Sequence, residues 1–184
     1  MAAIPADVVG YWSNAGPAKW FARSWRFDEA IRLKFEPVHH RAARGEYSAW
    51  LNEPQGALAL MILLDQFPRN LYRDSGHAFA TDPLARSLAA RAIEAGHDQH
   101  VDAALRIFFY LPFTHSEALA DQDRSVALFE AHDAATGDIE SLKFAVTHRE
   151  VIRRFGRFPH RNPALGREST AEELAFLDEG GFAG

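Results

Sequence analysis

The sequence predicts an all-α protein, and three observations support that prediction. Apolar side chains recur at the spacing of amphipathic helices through most of the chain. Prolines, capping side chains and glycines stand where those helices should begin and end. Alternating β-branched runs bounded by hairpin turns, which are typical of strands, are missing from the sequence. Because the helical runs are short and closely spaced, we predict antiparallel helical hairpins, stacked in a superhelix or packed as a compact bundle.

Proline and aspartate mark the helix starts in the first half of the chain. Pro5 and Pro54 are typical first-turn residues of helices. Asp28 is a candidate cap for a helix that Pro37 is expected to bend. The tryptophans expected in one aromatic cluster over the helices are Trp12, Trp20 and Trp25.

Helices in the second half follow one another at regular intervals. Starts near residues 83, 99, 117 and 139 give one helix pair about every 35 to 40 residues, the size of a helical-hairpin repeat. The side-chain pattern does not repeat at that period, so we predict a structural repeat only. One helix should start at Thr81 or Asp82 and end at Gly96, and the next should run from residue 99 to Pro112. A third should start at Thr114 or Ser116, and a fourth should start at Asp138 and end at Gly156. The last helix should start at Ser169, which has capping-box spacing to Glu172.

The totals restrict the class of protein. A chain of 184 residues predicts a single helical domain, residues 1–184. The net charge of −5 argues against a general nucleic-acid binder, which usually carries a basic excess. No cysteine is present, so disulfides and thiolate metal sites are excluded. The N-terminus lacks a signal-peptide pattern and no apolar run is long enough for a membrane span, so we expect a cytoplasmic protein.

The first polar motif is LLDQFPRN, residues 63–70, at the expected end of a very apolar helix. Asp65 and Arg69 are four residues apart and can pair on one helical face. Pro68 removes a backbone donor, which frees the carbonyl near Leu64 for a polar side chain. One interpretation is therefore a local network that ends the helix. The other is a site, in which the break directs Arg69 and Asn70, beside Gln66, into a cavity.

The second and third motifs contain histidines. In FFYLPFTHSEALADQ, residues 108–122, Thr114 and Glu117 have capping-box spacing, while His115 and Ser116 follow a proline turn. The surroundings of Ser116 do not resemble a nucleophile elbow. His148 lies on an apolar helical stripe and should point inward, either as a hydrogen-bonded core residue or as a catalytic base. The candidate partners for its ring are Asp65, Glu117 and Ser116.

The fourth motif, FGRFPHRN at residues 155–162, repeats the Phe-Pro turn of the first. Its arginines could bind an anion, because a guanidinium offers a planar fork to phosphate or carboxylate. They could equally bind helix-end carbonyls or carboxylates. The polar residues of this turn are Arg157, His160, Arg161 and Asn162. The histidines show no standard metal-ligand spacing, so we predict neither a metal nor another cofactor.

These motifs carry a resemblance that extends over essentially the whole chain. DQFPRN, FATDPLA, FFYLPFTHSE, FGRFPHRN and LGREST resemble, in order, the DUF924 family of bacterial proteins. YW at 11–12, KWF at 19–21 and FDEAIRLKF at 27–35 also fit its pattern, while RSW at 23–25 departs from it. The resemblance implies a fold similar to tetratricopeptide helical hairpins. It implies no activity, but its motifs coincide with the polar turns above.

We therefore hypothesise that the helix ends near residues 70, 115 and 160 converge on a pocket for an anionic small molecule. His115, Glu117 and His148 are the candidate catalytic residues, because a histidine held by a carboxylate is a suitable general base. The candidate ligand-binding residues are Asp65, Gln66, Arg69, Asn70, Ser116, Arg157, His160, Arg161 and Asn162. The competing hypotheses are a helical-repeat module that binds a protein or peptide without catalysis, and a purely structural network. The sequence does not predict the oligomeric state.

Overall fold

The computed structural model describes residues 4–182, and within that range every regular element is a helix. The all-α prediction is confirmed. None of the helices in this range is both long and apolar enough to cross a bilayer. The helices are α1 Pro5–Ala15, α2 Pro17–Trp20, α3 Trp25–Ala43, α4 Pro54–Met61, α5 Phe67–Leu71, α6 Asp82–Glu94, α7 Ala103–Thr114, α8 Leu119–Thr136, α9 Ile139–Phe155 and α10 Ala171–Asp178.

The described residues form two compact units. Unit one contains residues 4–73 and 77–112, and unit two contains residues 74–76 and 113–182. In unit one, α1 and α6 pack against α4, and α3 packs against α5. In unit two, α8 and α9 form the largest helix–helix contact. A single domain over residues 1–184 and a tetratricopeptide-like stacking both stay predictions.

The core of unit one is aromatic and aliphatic. Trp12 is completely buried, and its ring centroid lies 5.6 Å from those of Phe67 and Phe108. The indole nitrogen of Trp20 donates to the Trp12 carbonyl over 2.7 Å. Trp25 does not join this cluster, since 78% of it is exposed. Every residue of α4 from Gly56 to Met61 is buried, which explains why its sequence is apolar on all sides.

LLDQFPRN does not end a helix, contrary to the prediction. The chain continues from α4 through a π-helical turn, Ile62–Gln66, directly into α5. The amide of Phe67 donates to the carbonyl of Ile62, five residues earlier. The wider turn accommodates Pro68, which lies in the first turn of α5 where a missing amide hydrogen costs little.

Several helix boundaries follow the sequence signals, and others lie one or more residues away. Pro5 and Pro54 open helices, Asp138 caps α9 and Gly156 ends it, all as predicted. Ser24, not Asp28, caps α3, because the Ser24 hydroxyl accepts from the Phe27 amide at 3.4 Å. α7 starts at Ala103 and not at residue 99, and it continues past Pro112 to Thr114. α8 starts after Ala118 and not at Thr114 or Ser116. The capping box is formed by Thr170 and Glu173 and not by Ser169 and Glu172.

Candidate functional site

The polar residues predicted to form one site divide between the two units. Asp65, Gln66, Arg69 and Asn70 belong to unit one. The predicted residues from His115 to Asn162 belong to unit two. The convergence of the helix ends near 70, 115 and 160 stays a prediction, and each group has its own geometry.

The π-turn residues of unit one hold each other through buried ionic contacts. Asp65 is fully buried and accepts from Gln66 Nε2 over 2.6 Å. Arg69 Nη1 lies 3.5 Å from the Asp65 carboxylate, and the guanidinium also donates in a two-pronged contact to Asp82, at 3.0 and 3.1 Å. Burial opposes the charge on Arg69, but Asp65 and Asp82 outweigh it and raise the Arg69 pKa. These contacts favour the structural interpretation of this motif.

Three successive carbonyls around the π-turn accept from side chains. The Leu63 carbonyl accepts from His39 Nδ1 over 2.8 Å, and the Leu64 carbonyl accepts from the Thr81 hydroxyl. The third carbonyl, of Asp65 itself, accepts from Arg69 Nη1. Pro68 has no amide hydrogen to donate to the Leu64 carbonyl four residues earlier, and a buried carbonyl requires a partner. The carbonyl near Leu64 was predicted to need such a partner, and Thr81 supplies it.

Asn70 lies at an open cleft of about 230 Å³ in unit one. Its amide donates to Asp28 over 2.8 Å. The same carboxylate accepts from Arg73 Nε at 2.6 Å and from Arg73 Nη2 at 2.9 Å. The polar floor of the cleft is thus already hydrogen-bonded within the chain. The residues that line it are Trp25, Asp28, Glu29, Arg32, Asn70, Leu71 and Arg73.

In unit two, Arg157 and Asn162 hold the carboxylate of Glu173. Arg157 donates to it from Nε at 2.6 Å and from Nη2 at 2.8 Å, and Asn162 Nδ2 donates at 3.2 Å. The Thr170 amide completes the set at 2.8 Å. The hydrogen bonds from Arg157, with help from Thr170, lower the pKa of Glu173 to about 2. Arg157 and Asn162 therefore fasten α10 to the Phe158–Asn162 turn.

Glu117 has a different role from the predicted cap. Its Oε1 accepts from the Phe158 amide at 2.8 Å, and Arg167 donates to both its oxygens at 2.7 and 3.0 Å. Arg167 also donates to Asn162 Oδ1 at 2.9 Å. Burial works against the Glu117 charge, but Arg167 and the Phe158 amide lower its pKa overall. Glu117 thus fixes the Phe158 turn.

Ser116 and Gln122 stabilise the segment between α7 and α8. The Ser116 hydroxyl donates to Asp121 over 2.6 Å and accepts from the Ala118 amide at 3.2 Å. Gln122, fully buried, donates to the Thr114 and Ser116 carbonyls at 2.6 Å each. These contacts position the segment that carries His115. Ser116 acts as a local cap here, in line with its poor surroundings for a nucleophile.

The remaining predicted residues of unit two lie together, and we call His115, His148, His160 and Arg161 the histidine cluster. The ring centroids of His115 and His148 are 6.3 Å apart. The Phe158 ring centroid lies 5.5 Å from that of His148 and 5.6 Å from that of His160. Arg161, which is buried, stacks its guanidinium 4.4 Å from the Phe158 ring and donates to the His115 carbonyl over 3.0 Å.

The hydrogen bond of His148 determines which of its nitrogens is basic. Nδ1 lies 2.8 Å from the Phe144 carbonyl, which only accepts, so Nδ1 carries the proton and Nε2 keeps its lone pair. This partner differs from the predicted Asp65, Glu117 and Ser116. Burial, followed by His115 and Arg161, lowers the pKa of His148 to about 3 despite the Phe144 carbonyl. The inward position of His148 is confirmed, with 3% of it exposed.

His160 is the second neutral imidazole of the cluster. Burial and the nearby Arg161 charge lower its pKa to about 4. Its Nδ1 is buried and has no hydrogen-bond partner within the described residues. Across residues 4–182, no three histidine, aspartate or glutamate side chains are placed to hold a metal ion. The cluster therefore offers neutral imidazoles and a guanidinium rather than a set of anionic ligands.

The acid sensitivity of the chain should depend on Glu173. A carboxyl whose pKa falls from 4.5 when unfolded to about 2 when folded stabilises the protein above pH 4.5, and that contribution is lost as the pH falls towards 2. We expect chemical denaturation between pH 5 and pH 2 to show a smaller pH-dependent loss of stability in Glu173→Gln than in wild type. An equal slope in both proteins would contradict the assigned role of Arg157.

Important partners in both units were not predicted. Asp82 was considered only as a helix start, and Glu172 was preferred to Glu173 as the capping-box glutamate. Asp82 and Glu173 are both buried, whereas Glu172 is exposed. Arg167 is 50 residues from Glu117, too far for a spacing rule to join them. The LGREST motif that contains Arg167 was the available signal.

Comparisons with other proteins identify the family of the chain. The family model of DUF924, described as a bacterial protein of unknown function, matches residues 8–181. A solved structure of a protein of unknown function from Agrobacterium tumefaciens is 48% identical, with a TM-score of 0.89 over 95% of this chain and 97% of that one. No curated protein matches. The family match covers nearly the whole chain, and the chain belongs to the DUF924 family of bacterial proteins.

Proposed function

We propose that unit two binds a small anion, a carboxylate or a phosphate, at the histidine cluster. The observation that supports this proposal is the placement of the buried Arg161 guanidinium beside three imidazoles. Arg161 donates to the backbone carbonyl of His115 at 3.0 Å, and its positive charge contributes to the lowered pKa values of His148 and His160. An arginine fork in a partly desolvated place is a preferred partner for carboxylate and phosphate oxygens.

Two other arginines of this region hold carboxylates of the chain. Arg157 donates to the Glu173 carboxylate and Arg167 to the Glu117 carboxylate, each through two nitrogens. These two pairs fasten the turn, so their role is structural. Burial is the first cause of the low pKa values of His148 and His160, and the charge of Arg161 also lowers both. The effect of Arg161 is consistent with a positive potential at the cluster.

A proton acceptor accompanies the anion site. His148 presents a neutral Nε2 whose ring is oriented by the Phe144 carbonyl. Its pKa of about 3 makes it a weak base without a ligand, and a bound anion would raise that pKa towards the working pH, so we assign His148 the role of general base in the anion-bound state only. His115 lies beside it and Glu117 holds the adjoining turn, so these two are positioning residues in this proposal. The peptide-binding alternative, to which the exposed Trp25 beside the unit-one cleft lends support, stays a prediction, as does the cytoplasmic location.

Thermal unfolding in the presence of inorganic phosphate and of acetate tests the proposal. A ligand at a hundredfold excess over its Kd stabilises the native state by about 2.7 kcal/mol, so wild type should show a clear upward shift. Arg161→Met should lose this shift. Arg153→Met, which removes an exposed arginine of the same unit that pairs with Glu150, is the matched control and should keep it. A bound anion should also raise the pKa of both imidazoles, so the shift should grow as the pH falls from 7 to 5.

Two outcomes would count against anion binding at this place. One is the absence of any shift in wild type with either anion. The other is an equal shift in Arg161→Met and Arg153→Met, because the anion would then bind elsewhere on the chain.

A further inference from the structure

The histidine cluster is covered by an aromatic ring from the segment after α10. We call Phe144, His148, Phe158 and His160 the aromatic box. The Phe182 ring centroid lies 4.3 Å from that of His148 and 5.4 Å from that of His160. Its distances to Phe144 and Phe158 are 6.0 and 6.3 Å. These are ordinary separations for packed aromatic rings, so Phe182 fills the box.

A glycine turn places Phe182 there. Gly180 has a φ of 80°, and the Gly181 amide donates to the Phe176 carbonyl over 2.8 Å, which closes the end of α10. A Cβ at Gly181 would lie 2.4 Å from the Phe176 carbonyl oxygen, so a larger residue could not take this conformation. Glycine is also the residue that reorients most easily, so the same two positions can act as a hinge for Phe182.

The box has an open side. Phe144 is 39% exposed, and His160 and Phe182 are themselves only partly buried. By contrast, Phe158 at the inner wall is fully buried and carries the Arg161 guanidinium on its ring. A molecule that enters from the open side would therefore meet the aromatic walls and His160 before its charged end reaches Arg161.

We propose that the anion bound at the histidine cluster carries a flat aromatic ring, and that this ring takes the place of the Phe182 side chain. The inference rests on the anion binding proposed above. Phe182 is then an internal occupant of the subsite, and the ligand binds by displacing it. Another flat ring can pack against the phenyl and neutral imidazole walls at a similar separation, while the nearby guanidinium donates hydrogen bonds to the carboxylate or phosphate oxygens.

Calorimetric titration of the full chain tests this inference with two pairs of probes. Benzoate and phenyl phosphate carry the ring, whereas acetate and inorganic phosphate carry only the charged group. A site that is open in only about one-tenth of the molecules binds its ligand about tenfold more weakly than a site that is always open. If Phe182 fills the box in the other nine-tenths or so, removing its ring should tighten binding about tenfold. We expect this gain in Phe182→Ala for benzoate and phenyl phosphate, and little change for acetate and inorganic phosphate.

The controls separate this inference from the proposal on which it rests. Leu174→Ala truncates an exposed apolar side chain of the same α10 helix and should leave all four affinities unchanged. Phe182→Leu keeps apolar bulk without a ring and should show a smaller gain in affinity for benzoate and phenyl phosphate. If Phe182→Ala does not fold, the affinities of Phe182→Leu for the four probes test the inference instead. If acetate and phosphate bind through Arg161 but benzoate gains nothing in Phe182→Ala, only the ring subsite is overturned. An equal gain for all four probes also overturns it, and no binding of any probe overturns anion binding as well.

Discussion

Arg69→Met should destabilise the native state by about 3 kcal/mol, at the lower end of the cost of removing one partner from a buried ion pair. The guanidinium contacts the buried carboxylates of Asp65 and Asp82, and the substitution removes its charge and its hydrogen bonds from both. The expected loss is at the lower end because the Arg69 side chain is 21% exposed, so water can partly solvate the two carboxylates after the substitution. Urea unfolding followed by circular dichroism measures this loss.

A matched substitution separates this effect from loss of surface charge. Arg44→Met removes an arginine whose side chain is 61% exposed and which pairs with Glu46, so it should change stability by less than about 0.5 kcal/mol. Adding Asp82→Asn to Arg69→Met removes one of the two buried carboxylate charges that Arg69 contacts, and the double substitution should cost less than the two single changes together. Strict additivity of the two substitutions would argue against the network.

Phe158→Ala should be at least as damaging, with a loss of about 3 to 5 kcal/mol, typical of truncating a fully buried phenylalanine. The ring is completely buried and packs between His148 and His160 under the Arg161 guanidinium. Its removal should therefore also disorder the histidine cluster. Thermal and urea unfolding measure the stability, and histidine ring resonances in NMR spectra measure the cluster.

Phe155→Ala is the appropriate comparison for this substitution. Phe155 is only partly buried and packs against the same hydrophobic group as Phe158, and its ring centroid lies 5.0 Å from that of Phe176. It should cost less stability and leave the resonances of His148 and His160 in place. A loss in Phe158→Ala no larger than that in Phe155→Ala would show that the Phe158 ring does not organise the cluster.

The features that the sequence predicted correctly are local ones. A proline at a helix start, the Asp138 cap and the Gly156 stop depend on a few neighbouring residues and on backbone geometry alone. The apolar period of α9 likewise identified the buried side of His148. All-α architecture follows from many such signals together, so single errors at the ends of helices did not affect it.

The boundaries that were wrong depend on contacts from distant parts of the chain. Asp28 is a good cap by type, but Arg73 and Asn70 use its carboxylate, and Ser24 takes the capping position. The break expected at Pro68 is absorbed by the π-turn, whose carbonyls need His39 and Thr81. Neither outcome can be read from a window of neighbouring residues.

The candidate site was predicted in composition and only partly in arrangement. FTHSE and FPHRN identified His115, His160 and Arg161 because polar residues beside apolar helices are conspicuous, and the apolar stripe of α9 identified His148. The Phe182 ring was missed because a phenylalanine near a glycine pair has no polar signature, and its position depends on the turn after α10. The role of Glu117 also differed, since its partners Phe158 and Arg167 are 41 and 50 residues away.

The π-turn has a consequence for how unit one folds. Two of its carbonyls, those of Leu63 and Leu64, take side-chain donors from α3 and from the residue preceding α6. The most buried helical segment of the unit therefore cannot complete its own hydrogen bonding before those elements arrive. Local opening of any one of them exposes an unsatisfied carbonyl in the core, so their opening should be coupled and the unit should unfold as one cooperative body.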